Sequence, residues 1–122
     1  MRKETGRTRR IGELLQRELA SIIPRVLNDP RVALVTITAV DVAPDLSHAK
    51  VFVTHLSGKD KAVPLMKALK NSGRLLRHEL SGRVALRVVP ELRFVYDESV
   101  ERGAQLSELI DRAVRDEREP DR

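Results

Sequence analysis

A chain of 122 residues is about one domain, and at that length roughly two-thirds of the unfolded surface is removed from water on folding. The absence of cysteine excludes disulfides, thiolate metal sites and cysteine nucleophiles, and Phe52, Phe94 and Tyr96 are too few aromatics to stack a run of bases. The formal charge of +5 hides an asymmetry: residues 1–96 carry 18 basic and 9 acidic side chains, a body of +9, whereas residues 97–122 carry 5 and 9, an end of −4.

Residues 1–10 hold Arg2, Lys3, Arg7, Arg9 and Arg10 against Glu4 alone, and Thr5, Gly6 and Thr8 give little reason for order, so a flexible basic arm is expected. No apolar run of signal-peptide length follows, and no stretch of 18 apolar residues occurs, which predicts a cytoplasmic protein with no membrane partner. From Ile11 onward, Leu14, Leu15, Leu19, Ile22, Ile23, Val26 and Leu27 recur at i, i+3, i+4 and predict a helix. Pro24 is expected to kink its last turn, and Asn28, Asp29 and Pro30 to end it. Val32–Val42 is β-branched and alternating, but Val35 and Ile37 share one parity and Val40 and Val42 the other. That slip predicts a bulge near Thr38 or Ala39, or burial on both faces. Ala43–Ser47 is turn chemistry, and His48–Leu56 completes a hairpin.

Val63–Leu80 reads as a helix broken at Asn71, Ser72 and Gly73, because glycine costs about 1 kcal/mol in a helix interior and asparagine and serine offer the backbone competing bonds. Leu65, Leu69, Leu76 and Leu80 form one apolar stripe, Lys67, Lys70, Arg74 and Arg77 lie on the other side, and Ser81 and Gly82 close the helix. Val84–Asp97 alternates as a half-buried strand in which Pro90, lacking a donor, marks an edge or bulge. Ser99 is placed to cap a last helix with Leu106, Leu109, Ile110, Ala113 and Val114 on one face. The expected organisation is a basic arm at 1–10, a folded unit at 11–97, a C-terminal helix of the same domain at 98–115 and a charged, disordered tail at 116–122.

Catalytic constellations do not emerge. His48, His55 and His78 have no partner at HExxH spacing, His48 and His55 face opposite sides of one strand, and no P-loop, GxSxG or dinucleotide fingerprint occurs. No catalytic residue, metal ligand or cofactor is therefore assigned. The cationic row is more informative, because no carboxylate stands at its i±4 positions and only Glu79 comes near. It also adjoins a helix start after Gly73, where free amides favour phosphate. Lys67, Lys70, Ser72, Gly73, Arg74 and Arg77, with Arg2, Lys3, Arg7, Arg9, Arg10, Arg83 and Arg87, are expected to make an RNA or DNA phosphate surface.

The order α, β, β, α, α, β resembles a type II KH domain, in which a GxxG loop clamps the nucleic-acid backbone. No two glycines stand three apart here. Asn71, Ser72 and Gly73 are instead similar to the Ala-x-Gly kink of the bacterial ribosome-binding factor A family. The resemblance continues through DPRV at Asp29–Val32, VDVAPDLSHAKVFVTHL at Val40–Leu56 and VPELRFVYDES at Val89–Ser99, and spans Arg7 to Val114. Asn71 departs from the family alanine. The resemblance implies an α+β, KH-like type II fold (αββ-α-kink-α-β) with a C-terminal helix packed on a three-stranded sheet. It further implies a non-catalytic, monomeric assembly factor that binds the free or immature 30S small ribosomal subunit. Such a factor assists 16S rRNA 5′-end processing and late maturation, supports growth in the cold, and works with an assembly GTPase. Two readings compete with it: a regulator of mature small subunits, and a metal-dependent RNA hydrolase.

Overall fold

The computed structural model describes residues 6–118. Helix α1 (Gly6–Leu27) leads into the hairpin β1 (Val35–Val42) and β2 (His48–His55). Helices α2 (Ala62–Asn71) and α3 (Gly73–Ser81), strand β3 (Glu91–Tyr96) and helix α4 (Ser99–Arg118) follow. The sheet order is β1-β2-β3, with β1 and β2 antiparallel and β3 parallel to β2. This is the α+β architecture that the residue pattern and the KH-like resemblance predict.

The phase slip in β1 is a bulge. Register jumps between Ile37 and Ala39, so Thr38 is the extra residue. The jump returns Val35, Ile37, Val40 and Val42 to one face, opposite His55, Val53, Val51 and Ala49 of β2. Leu92, Phe94 and Tyr96 of β3 continue that face through their pairing with Ala49, Val51 and Val53. Helices α1, α2 and α3 cover it. Leu15, Leu19, Ile22 and Ile23 from α1 meet Leu65 and Leu69 from α2 and Leu76 and Leu80 from α3 in one cluster, all of them fully buried. Burial of each leucine contributes about 2 kcal/mol.

Four expectations are corrected. The first helix begins at Gly6, not Ile11, so Arg7, Arg9 and Arg10 are helical. Thr8, only 5% exposed, extends the inward face by a turn. Arg2 and Lys3 lie outside the described residues. The strand expected over Val84–Asp97 is confined to Glu91–Tyr96. Before it, Val84 and Val89 are buried in the core, Arg83 pairs with Glu18 on α1 at 3.3 Å, and the Val89 carbonyl accepts from Arg77 Nε on α3 at 3.0 Å. The segment is thus held by helices and not by a neighbouring strand. Gly82 ends α3 at φ −85°, without the left-handed turn that favours glycine.

The fourth correction concerns α4. Its apolar row does not pack on the sheet: Leu106, Leu109 and Ile110 are 59%, 57% and 54% exposed, and Val114 is also exposed. The helix is tied down at its first turn instead. Asp97 Oδ1 accepts the Ser99 N–H at 2.9 Å, so Asp97, not Ser99, supplies the cap. Asp97 Oδ2 accepts the Thr38 hydroxyl at 2.6 Å, Tyr96 Oη donates to Glu101 at 3.0 Å, and Lys59 approaches Glu98 at 3.8 Å. Helix α4 continues to Arg118, into the stretch read as a disordered tail, and residues 119–122 lie outside the described residues.

The Thr38 hydroxyl, and then Ser99, hold the Asp97 carboxyl below its ordinary value. A native pKa below the unfolded value of about 3.9 gives stability that is fully present above that pH and lost as pH falls through the native value. Asp97→Ala is expected to cost about 1 kcal/mol at pH 7 through the lost cap. The difference from the parent shrinks below pH ~4, a change readable in thermal melts across pH.

Gly12 makes the closest approach between α1 and the sheet. A Cβ there would stand 2.6 Å from the Val40 carbonyl oxygen, whereas one at Gly73 would meet nothing within 4 Å. Gly12→Ala is expected to destabilise by about 1–3 kcal/mol, against the helix propensity gain. Gly73→Ala should change stability by less than about 1 kcal/mol. Urea midpoints measure both.

Candidate nucleic-acid interface

The break between α2 and α3 is one residue wide. Ser72, at φ −101° and ψ 6°, is non-helical, yet its N–H bonds the Ala68 and Leu69 carbonyls and its own carbonyl accepts from the Leu76 N–H. The two helices are thereby locked end to end, and the leucine stripe continues across the junction into the core. The opposite row continues as well. Lys67, Lys70, Arg74 and Arg77 are all exposed, and with Gly73 they line one groove of about 790 Å³ between the helix pair and β3.

Met66, Leu92 and Phe94 form the half-buried floor of that groove, and Glu91 and Arg93 stand at its β3 side. Five cations therefore face one carboxylate. Among the described residues, none of Lys67, Lys70, Arg74, Arg77 or Arg93 has an acidic partner within ion-pair distance. Arg74 and Arg77 also border a second cleft, with His78, Ser81, Leu86, Arg87 and Val89. Leu86 reaches a third small depression lined by Arg7, Arg10 and Ile11 at the start of α1. The first two hollows share Arg74 and Arg77 and the second meets the third at Leu86, so the cations form a track through neighbouring hollows from Lys67 to Arg7.

Most of the residues assigned from the sequence come together here, and a few do not. Arg87 joins Arg74 and Arg77 in the second cleft, and Arg7 and Arg10 end the track. Arg9 is exposed on α1 outside all three hollows. Arg83 is engaged by Glu18, and Ser72 acts through its backbone at the junction. Arg93, Leu92 and Phe94 were not singled out by sequence reasoning. Their alternation shows a strand, but only the parallel placement of β3 beside β2 brings them opposite α2. Among the described residues no three His, Asp or Glu side chains cluster as metal ligands. His55 is buried with Nδ1 accepting the Ser57 N–H, and His48 Nδ1 contacts Ser47 Oγ. No helix among the described residues is long and apolar enough to cross a membrane.

Comparison with known proteins decides the family. The ribosome-binding factor A profile matches residues 7–110. The chain belongs to the ribosome-binding factor A family. A ribosome-binding factor A from Pseudomonas entomophila is 53% identical over 120 residues, covering 97% of this chain and 91% of the relative. The crystal structure of ribosome-binding factor A from Thermus thermophilus superposes with a TM-score of 0.64 at 31% identity, over 73% of this chain and 94% of that one. Homology-built coordinates of the Thermus thermophilus factor, fitted into a cryo-electron-microscopy map of its complex with the 30S subunit, superpose with a TM-score of 0.60 at 32% identity. They cover 71% of this chain and 91% of that one.

Within this family fold the two arginines of α3 differ in role. Arg77 is anchored through Nε to the Val89 carbonyl, whereas no hydrogen-bonded or ion-paired partner holds Arg74 among the described residues. Arg77→Ala is expected to cost about 1 kcal/mol of stability, while Arg74→Ala stays within about 0.5 kcal/mol. Chemical denaturation of the two variants separates the roles.

Proposed function

We propose that this protein is a non-catalytic assembly factor that binds 16S rRNA on the free or immature 30S small ribosomal subunit. Its work there is to assist 5′-end processing and late maturation of the RNA, chiefly in the cold, as a cytoplasmic monomer acting with an assembly GTPase. The observation that carries the reading is the track of cations, without acidic partners among the described residues, that runs from Lys67, Lys70 and Arg74 past Arg77 and Arg87 to Arg10 and Arg7. Its charge suits a ribose-phosphate backbone. The cryo-electron-microscopy complex of the Thermus thermophilus relative with the 30S subunit supports the choice of particle.

Without a GxxG clamp or a set of stacking aromatics, charge and the shape of folded rRNA dominate recognition. The protein therefore holds RNA in place, and its affinity falls steeply with salt. If 4 to 6 of the cations neutralise phosphates, the slope of log affinity against log salt is about −3 to −5.

Binding to purified 30S particles at several salt concentrations tests this. Replacing Lys67, Lys70 and Arg74 together with Glu is expected to weaken binding at least about 100-fold and flatten the slope by about 2 to 3, with the fold intact by circular dichroism. Unchanged affinity in that variant would overturn the proposal. Tighter binding to immature than to mature particles is expected; the reverse order would assign the regulatory role instead. Labelled rRNA is expected to stay intact with the purified protein and Mg²⁺, and its cleavage would assign a hydrolase.

A further inference from the structure

The three-stranded sheet has two edges, and the structure treats them differently. In β1 the backbone groups of Thr36, Ala39 and Asp41 face β2, which turns those of Ile37 and Val40 outward. Helix α1 covers that edge: Gln16 Nε2 donates to the Ile37 carbonyl at 3.0 Å, and Gly12 lies against the Val40 carbonyl. In β3 the Glu91 N–H bonds Ser47 and the Asp97 N–H bonds Val53, so Glu91, Arg93, Val95 and Asp97 face β2. The backbone N–H and C=O groups of Leu92, Phe94 and Tyr96 point the other way, those of Leu92 and Phe94 beside the groove between β3 and the helix pair.

An uncovered strand edge is a template for another extended chain, and folded proteins usually blunt it. Among the described residues this edge is left unpaired, and the charge that borders it is mostly positive. Lys67, Lys70 and Arg74 overhang it from the helices, Met66, Leu92 and Phe94 give it an apolar floor, and Glu91 is the one acid lining it among the described residues. We propose that the open edge of β3 docks an extended acidic peptide from a partner protein, which adds as a fourth strand and lays its carboxylates along Lys67, Lys70 and Arg74.

Three features favour a peptide over a single RNA strand in this groove. The edge alternates donors with acceptors, which a peptide backbone matches one for one, whereas a phosphodiester chain offers almost only acceptors. Among the described residues Phe94 is the one aromatic ring lining the groove, too little for a succession of stacked bases. The cations also fit the spacing. Lys67 and Lys70 are separated by about 4.5 Å along the α2 axis, of the same order as the roughly 6.6 Å between alternate residues of a strand, and Arg74 follows at the start of α3. The six residues of β3 set the length of the docked segment. An acidic peptide seated there competes with rRNA for Lys67, Lys70 and Arg74, so its binding and the rRNA track are coupled by charge.

The test is titration of the ¹⁵N-labelled full chain with an N-acetylated heptapeptide alternating glutamate and valine. The same heptapeptide methylated at every backbone nitrogen, and octauridine, serve as the other two probes. Docking predicts amide shifts centred on Leu92 and Phe94, slower hydrogen exchange at both, and at least tenfold weaker binding of the methylated peptide. The same loss is expected in the variant carrying Glu at 67, 70 and 74. Equal binding of the methylated peptide would reduce the interaction to charge and overturn strand addition. So would the absence of shifts at millimolar peptide, or shifts of Leu92 and Phe94 amides by octauridine alone. The titration uses the free protein, so its failure leaves the 30S reading to stand or fall on its own experiment.

Discussion

Leu65, Leu69, Leu76 and Leu80 all reach one core from two helices that are separated by a single non-helical residue. Meeting that condition fixes how far the chain can bend at Ser72: enough to end α2 and restart α3, too little to rotate one apolar stripe away from the other. The Ser72 amide and carbonyl complete the helical bonding on both sides, so the break carries no unsatisfied backbone at its centre. The outer row follows as a consequence of the inner one. Once four leucines are committed to the core, Lys67, Lys70, Arg74 and Arg77 have one common rim to occupy.

The sheet beneath the helices depends on a comparable device. Thr38 is squeezed out of the β1 ladder, and that one extra residue puts Val35 and Ile37 on the same face as Val40 and Val42. The displaced side chain is then used again, since its hydroxyl reaches Asp97 at the end of β3 and Asp97 in turn caps α4. A correction of phase in the first strand thus becomes the anchor of the last helix. The exposed apolar row of α4 shows that this anchor, together with Tyr96–Glu101, is what holds the helix at its start.

Elements whose pattern is local were legible in the sequence. The leucine stripe, the bulge near Thr38 and the order of helices and strands all follow from spacing, because each is written within a dozen residues. The misreadings share a different cause. Val84–Val89 alternates like a strand, but the Val89 carbonyl is held by Arg77 on α3 and the preceding Arg83 by Glu18 on α1, contacts that periodicity does not show. Serine is a good cap by type, yet here the Ser99 N–H is itself capped by the Asp97 carboxylate. An amphipathic pattern in α4 predicts a buried face without saying that the fold supplies a surface to bury it. The cationic row was legible as a row; its groove was not, because Arg93, Leu92 and Phe94 enter it only through a parallel strand pairing.

Gly12 carries a consequence that reaches the surface. Its missing side chain lets α1 rest against the Val40 carbonyl, and that contact, with Gln16 one turn on, fixes the helix in rotation as well as in distance. Arg7 and Arg10 sit on the far side of the same cylinder, so their bearing is set by a backbone contact in the interior. The helix cannot be turned by a few degrees to aim them elsewhere. Any change in what this end of the molecule attracts has to come from exchanging side chains on a barrel whose orientation is already bolted down.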